Sequence, residues 1–206
     1  MTKRGVINMA LDYLGGDAVD YNSTEITDLE KKAGRQYKVA SLYVLQQADW
    51  IDAVANTTLS SEASITNLWN DYWEYVYSLP SGCLRALDLE FDSEAQFIVQ
   101  GDYLYTNYYD ATNGINLRYI KDIREESNNS LIYSDMLGEV IATRLAYNMA
   151  PVEKKGAFFA IFEEVLAEAV LTNVVSLTSR YGQDNPWWTD IGSVRTHRAN
   201  YEERYY

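Results

Sequence analysis

From about residue 152 to residue 179 the chain carries Phe158, Ile161, Phe162, Val165, Leu166, Ala169, Val170, Val174 and Leu177, mostly three or four positions apart. That spacing predicts one long helix that serves as the hydrophobic spine of the protein, so the rest of the chain must fold around it. Ala150-Pro151 separates it from an earlier helix, because proline disfavours helical backbone in the residue before it. This earlier helix starts near Ser134, whose side chain can cap it, and presents Leu137, Val140, Ile141, Leu145 and Met149 on one face.

Two further helices are expected at the other end. Ile7, Ala10, Leu11 and Leu14 fall at helical spacing over about 4–14, and Gly15-Gly16 supplies the stop. Thr27-Asp28-Leu29-Glu30 has the spacing of a capping box. The second helix is expected to run from there to about Ala55, with Leu29, Ala33, Tyr37, Ala40, Val44, Ala48 and Ile51 on its apolar side and Lys31, Lys32, Arg35 and Lys38 crowding its first half.

Between the helix pairs the period changes. Residues 72–77, 96–100, 103–106 and 115–120 are aromatic and β-branched runs, and Gly101-Asp102 is a suitable two-residue hairpin turn between two of them. The fold class expected is α+β. It is mainly a helical bundle of two N-terminal and two C-terminal helices, with one small antiparallel β-sheet inserted at about 70–122. Segments 15–26 and 56–68 are the linker candidates. Residues 1–179 form the body, and 180–206 an extended C-terminal tail.

Charge divides the chain the same way. Of 206 residues, 30 are acidic and 17 are Lys or Arg, a net charge of −13, and all of that excess lies before residue 180. The tail balances Arg180, Arg195, Arg198 and Arg204 against Asp184, Asp190, Glu202 and Glu203. It interleaves them with Tyr181, Trp187, Trp188, Tyr201, Tyr205 and Tyr206. Disordered segments lack such aromatic side chains, which gain free energy on leaving water, so the tail is expected to order on a partner. The body's acidity disfavours nucleic-acid binding by counterion release and binding to anionic membranes. It serves either solubility or a passage through which DNA slides. With 18 tyrosines, the chain is rich in amphipathic contact area of the kind used at protein interfaces.

No apolar run resembles a signal peptide or a membrane span, so a soluble, unexported protein is expected. Cys83 is the single cysteine, which rules out an internal disulfide and fits a reducing cytoplasm.

Chemistry-bearing patterns are sparse. His197 is the sole histidine and lies in the tail, where an exposed or interface role is expected in place of catalysis. One His and one Cys cannot build a zinc cluster. Asp88, Glu90 and Asp92 alternate, so on a strand they would share a face able to hold Ca²⁺ or Mg²⁺; a solvated strand face is the preferred reading. Glu163, Glu164 and Glu168 read as the water-facing side of the long helix. The chain has no phosphate-binding glycine loop, since Gly15-Gly16 follows a helix where such a loop precedes one. Lys3-Arg4 with the basic half of the second helix is the one positive cluster, read as a salt-bridged face or a subunit contact. No metal, cofactor or enzymatic activity is expected.

Several short motifs, taken in order, resemble the head–tail connector or adaptor proteins of short-tailed phages, of the tail tubular protein A type. Val6-Ile7-Asn8-Met9-Ala10-Leu11-Asp12-Tyr13-Leu14-Gly15 resembles that family's opening helix, and a long helix ending in an aromatic residue, here Trp50, follows. Tyr77-Ser78-Leu79-Pro80 resembles the Leu-Pro that opens its middle segment. Gln100-Gly101-Asp102-Tyr103-Leu104-Tyr105 is similar to its hairpin, and Leu117-Arg118-Tyr119-Ile120 to its next strand. The order extends to the two closing helices, covering about residues 5–179. The Glu-Pro-Pro that often follows the family's opening helix is replaced by Gly16-Asp17-Ala18.

The resemblance implies a structural virion protein, made in the host cytoplasm and resident at the head–tail junction. It implies self-association into a ring of twelve subunits under the portal protein, with a further tail or nozzle protein below and genomic DNA passing through unbound. On that basis the portal-docking interface is expected at Arg180, Tyr181, Trp187, Trp188, Arg195, Arg198, Tyr201, Arg204, Tyr205 and Tyr206. A different class, a small acidic hydrolase of glycan or cell wall, would need a convergent pair of carboxylates.

Overall fold

The structure, a computed structural model, describes residues 1–15, 28–60, 73–89, 96–108, 114–124 and 133–181. Helix α1 spans Lys3–Leu14; Thr2 caps it by accepting from the Gly5 N–H at 3.1 Å, and Gly15 at φ 72° ends it. Its buried residues are Val6, Ile7, Ala10 and Leu11, the face read from the sequence. Helix α2 spans Asp28–Leu45. Thr27 of the expected capping box lies outside the described residues. Helix α3, Asp135–Met149, is capped by the Ser134 hydroxyl, which accepts from the Leu137 N–H at 3.2 Å. A 3₁₀ turn over Val152–Lys154 leads into helix α4, Lys155–Tyr181.

Helix α3 is the hub. Its buried Leu137, Val140, Ile141, Ala142, Leu145 and Ala146 are packed by α1, α2 and α4, so three helices share one partner. Each fully buried Leu or Ile in that cluster is worth about 1.5–3 kcal/mol of transfer free energy.

The strands correct the expected fold class. Two N-terminal and two C-terminal helices are present, but one small inserted sheet is not what lies between them: the described strands make two three-stranded antiparallel sheets. Numbered along the chain they are β1 Val54–Leu59, β2 Tyr75–Ser78, β3 Cys83–Leu89, β4 Phe97–Gln100, β5 Tyr103–Thr106 and β6 Ile115–Lys121. The first sheet has the order β1-β6-β3 and the second β2-β5-β4. Strand β1 lies where the second helix and the 56–68 linker were expected.

The reason is local. Ala48 and Ile51 fall in helical phase, yet α2 stops at Leu45, and the chain turns so that Trp50, 1% exposed, donates its indole N–H to the Val44 carbonyl at 2.7 Å. That carbonyl at the helix end thus accepts twice, from the indole and from the Gln47 N–H at 3.0 Å. The β-branched Val54, Thr57 and Thr58 then pair with β6, in register from Val54 opposite Ile120 to Leu59 opposite Ile115. Trp50 therefore follows α2 and does not terminate it.

Central strand β6 joins the two cores. Ile115, Leu117 and Tyr119 point to the second sheet, where Tyr77 and Leu104 meet them, while Ile120 points to the helices. This alternation is the period-2 consequence of strand geometry. The tight turn at Gly101-Asp102 between β4 and β5 is as expected, with Gly101 at φ 60°.

Candidate functional site

Helix α4 has two faces built from the same apolar stock. One, carrying Phe158, Phe162, Val165, Leu166, Ala169 and Val170, packs into the helical core. The other carries Ala157, Ile161, Glu164, Glu168, Leu171 and Val175, all exposed; Leu171 is 65% and Val175 67% accessible. A helix apolar on opposite sides normally has protein on both, and among the described residues only one side of α4 is covered.

The helix is anchored by polar contacts. Asn173, 2% exposed, falls in the buried phase and closes two hydrogen bonds to the turn after α2: its Oδ1 accepts from the Ile51 N–H at 3.0 Å, and its Nδ2 donates to the Asp49 carbonyl at 3.0 Å. Higher up, the Arg144 guanidinium of α3 lies 3.7 Å from the centroid of the Tyr43 ring, with the rings of Tyr147 and Phe162 farther off at 5.0 and 5.1 Å. Its Nε is buried without a hydrogen-bond partner, so ring quadrupoles in place of a carboxylate hold this charge between α2, α3 and α4. Neither residue was singled out in the sequence, although a polar Asn in the phase of Phe162, Leu166 and Ala169 was the available signal.

The positive cluster is resolved into parts. Lys3 stacks over the Tyr37 ring at 5.2 Å, and Lys31 makes a 3.6 Å ion pair with Asp28. Lys32 and Arg35 are exposed and make no ion pair with a described residue. The outward face of α2 runs Lys32, Arg35, Val39, Leu42, with Val39 59% accessible and Leu42 half-buried.

The expected docking residues divide at the helix end. Arg180 and Tyr181 are the last two residues of α4 and not the start of an extended tail. They lie about two helical turns beyond the Asn173 clamp, roughly 11 Å along the axis. Trp187, Trp188, Arg195, Arg198, Tyr201, Arg204, Tyr205 and Tyr206 lie outside the described residues, as does His197.

Asp52, Asp88 and Asp122 are committed to structure. Asp88 sits opposite Arg118 in register and pairs with it at 2.6 Å, its side chain only 14% exposed, so the solvated strand face expected for it is wrong; Glu90 and Asp92 lie outside the described residues. Asp52 accepts from the backbone N–H and hydroxyl of Ser134 at 3.1 and 2.6 Å, fixing the start of α3. The Arg124 guanidinium grips Asp122 through both oxygens, at 2.8 and 2.6 Å, and holds its carboxyl below the usual range, the direction opposite to that of a general acid. Burial pushes the Cys83 thiol up, away from thiolate reactivity. The described residues contain no group of three His, Cys, Asp or Glu able to hold a metal ion, and no helix among them is long and apolar enough to cross a membrane. No family model matches the chain, and no curated protein matches it.

Proposed function

We propose that this chain is a head–tail adaptor of the tail tubular protein A type. In this reading it is a structural virion protein that forms a ring of twelve between the portal and the tail. It docks on the portal through its C-terminal segment, supports a further tail or nozzle protein below, and encloses a channel for DNA. The observation that supports it most is the continuation of the clamped α4 into a nearly neutral segment carrying Trp187, Trp188 and three arginines, on a body with a large acidic excess. Aromatic side chains flanked by arginines are what anchors an interface. A negatively charged channel repels DNA and lets it pass without sticking.

The test is the mass of the full-length protein alone and mixed with its cognate portal, by light scattering behind size exclusion. The expected result is a complex with one copy per portal subunit, lost when residues 182–206 are removed while the body stays folded. Absence of any complex with the full chain would overturn the reading.

A further inference from the structure

The two exposed helical faces match each other. Along α4 the outward residues Ala157, Ile161, Glu164, Glu168, Leu171 and Val175 are spaced alternately four and three apart, the repeat of a helix-pairing seam. Along α2 the outward residues Asp28, Lys32, Arg35, Val39 and Leu42 follow the same alternation. On α4 the seam reads apolar pair, acidic pair, apolar pair. On α2 a basic pair is followed by an apolar pair.

We infer that the outer face of α4 in one copy of this chain packs against the outer face of α2 in the next copy. Placing Lys32 and Arg35 beside Glu164 and Glu168 brings Val39 and Leu42 onto an apolar pair whichever way the helices run. That pair is Leu171 and Val175 if the helices are parallel, and Ile161 and Ala157 if they are antiparallel. Lys32, Arg35, Glu164 and Glu168 have no ion pair within the described chain, so their charges are available to a neighbour. A second copy is the occupant these faces fit, because the same chain supplies both complements in a protein otherwise strongly acidic. Since the two faces differ, the contact is head-to-tail and propagates, closing into a ring where the rotation permits. That closure rests on the adaptor reading; the contact itself does not.

Two measurements on the full chain test it. In the first, an equal mixture of isotope-labelled and unlabelled protein is treated with a zero-length carbodiimide, which activates a carboxylate for amide formation with a lysine amine in contact with it and departs as its urea, carrying the elements of water. Mass spectrometry is expected to find mixed-isotope peptides joining Lys32 to Glu164 or Glu168. Mixed-isotope products that join other faces only, or none, would overturn the contact.

In the second, Lys32→Glu with Arg35→Glu, and separately Glu164→Lys with Glu168→Lys, are each expected to weaken self-association in sedimentation by roughly tenfold. Mixing the two variants restores it, since each then meets an opposite charge. The first variant raises the net negative charge and the second lowers it, so general repulsion would move them in opposite directions. An α4 variant that associates as well as the unaltered chain, or a mixture that stays dissociated, would sink the inference. Portal binding without the α2–α4 cross-link would retain the adaptor reading and discard this contact; the cross-link without portal binding would do the reverse.

Discussion

A Cβ placed on Gly114 would lie 2.5 Å from the carbonyl oxygen of Leu59 and 3.0 Å from Cγ2 of Thr58, on a backbone already at φ 72°. Both objections fall on one methyl group, and the nearer obstacle is backbone that β1–β6 pairing holds in place. Gly114→Ala is therefore expected to cost about 2–4 kcal/mol in chemical denaturation. Gly101→Ala, at φ 60° with open space around it, meets only the left-handed penalty of roughly 1–2 kcal/mol. Equal losses at the two sites would show that the Leu59 carbonyl moves aside. Asp122 acts through charge. Arg124 donates to its carboxylate from Nε, Nη2 and the backbone N–H, and also to the Lys38 carbonyl at 3.0 Å, so the pair ties the end of β6 to α2. Because the folded-state pKa of Asp122 is lowered, its contribution is complete above the ordinary carboxylate range near pH 4 and is lost as pH falls through the folded value. Asp122→Asn should lower stability at neutral pH and flatten the part of the stability curve below about pH 4. An unchanged acid limb would mean that other carboxylates dominate it.

At the level of elements, α4 depends on Asn173 more than its apolar sequence suggests. Replacing Asn173 by Ala leaves the Ile51 N–H and the Asp49 carbonyl without their partner, at a cost of about 2–4 kcal/mol for two partly buried groups. Replacement by Leu, which adds apolar bulk and no hydrogen bond, should recover little of it. The diagnostic signal is faster hydrogen exchange at the Ile51 amide; if exchange there is unchanged in both variants, the clamp contributes nothing to the turn. The same turn explains how far the sequence could be read. Helices α1, α3 and α4 were legible because their apolar spacing is long, continuous and bounded by Gly15, Ser134 and Pro151, whereas the Thr2 cap of α1 emerged only in the structure. The end of α2 was not legible, because Ala48 and Ile51 continue its phase by coincidence, while the chain leaves the helix after Leu45 and folds Trp50 back onto the Val44 carbonyl. Strand β3 was obscured by two irregularities in its register with β6, between Cys83 and Arg85 and between Ala86 and Asp88, which break simple alternation. The division of the strands into two sheets is a tertiary outcome: β6 has partners on both edges that are distant in sequence, and no local pattern announces them. Of the proposed docking residues, composition alone marked the segment. That Arg180 and Tyr181 belong to α4 is a helix-boundary matter, and boundaries are where local patterning is weakest.

Over the whole molecule, the proposed adaptor must keep its two kinds of contact energetically distinct. The α2–α4 seam couples two or so charge pairs to small apolar patches, so it should weaken as salt screens it. Docking by the C-terminal segment should not, if aromatic burial carries it. Trp187→Ala combined with Trp188→Ala is expected to weaken portal binding by roughly a hundredfold or more, since anchoring aromatics often cost 2 kcal/mol or more each. A single change at the edge, Arg195→Ala, is expected to cost less than about 1 kcal/mol. Binding isotherms at low and high ionic strength separate the two contributions: the tryptophan loss persists at both, whereas the arginine loss shrinks as salt rises. Comparable losses from the tryptophan pair and the arginine, or a tryptophan effect that vanishes in high salt, would mean that charge anchors the segment. The body's acidity would then have to be reconsidered as the source of attraction between chains, and not only as a lining that DNA does not adhere to.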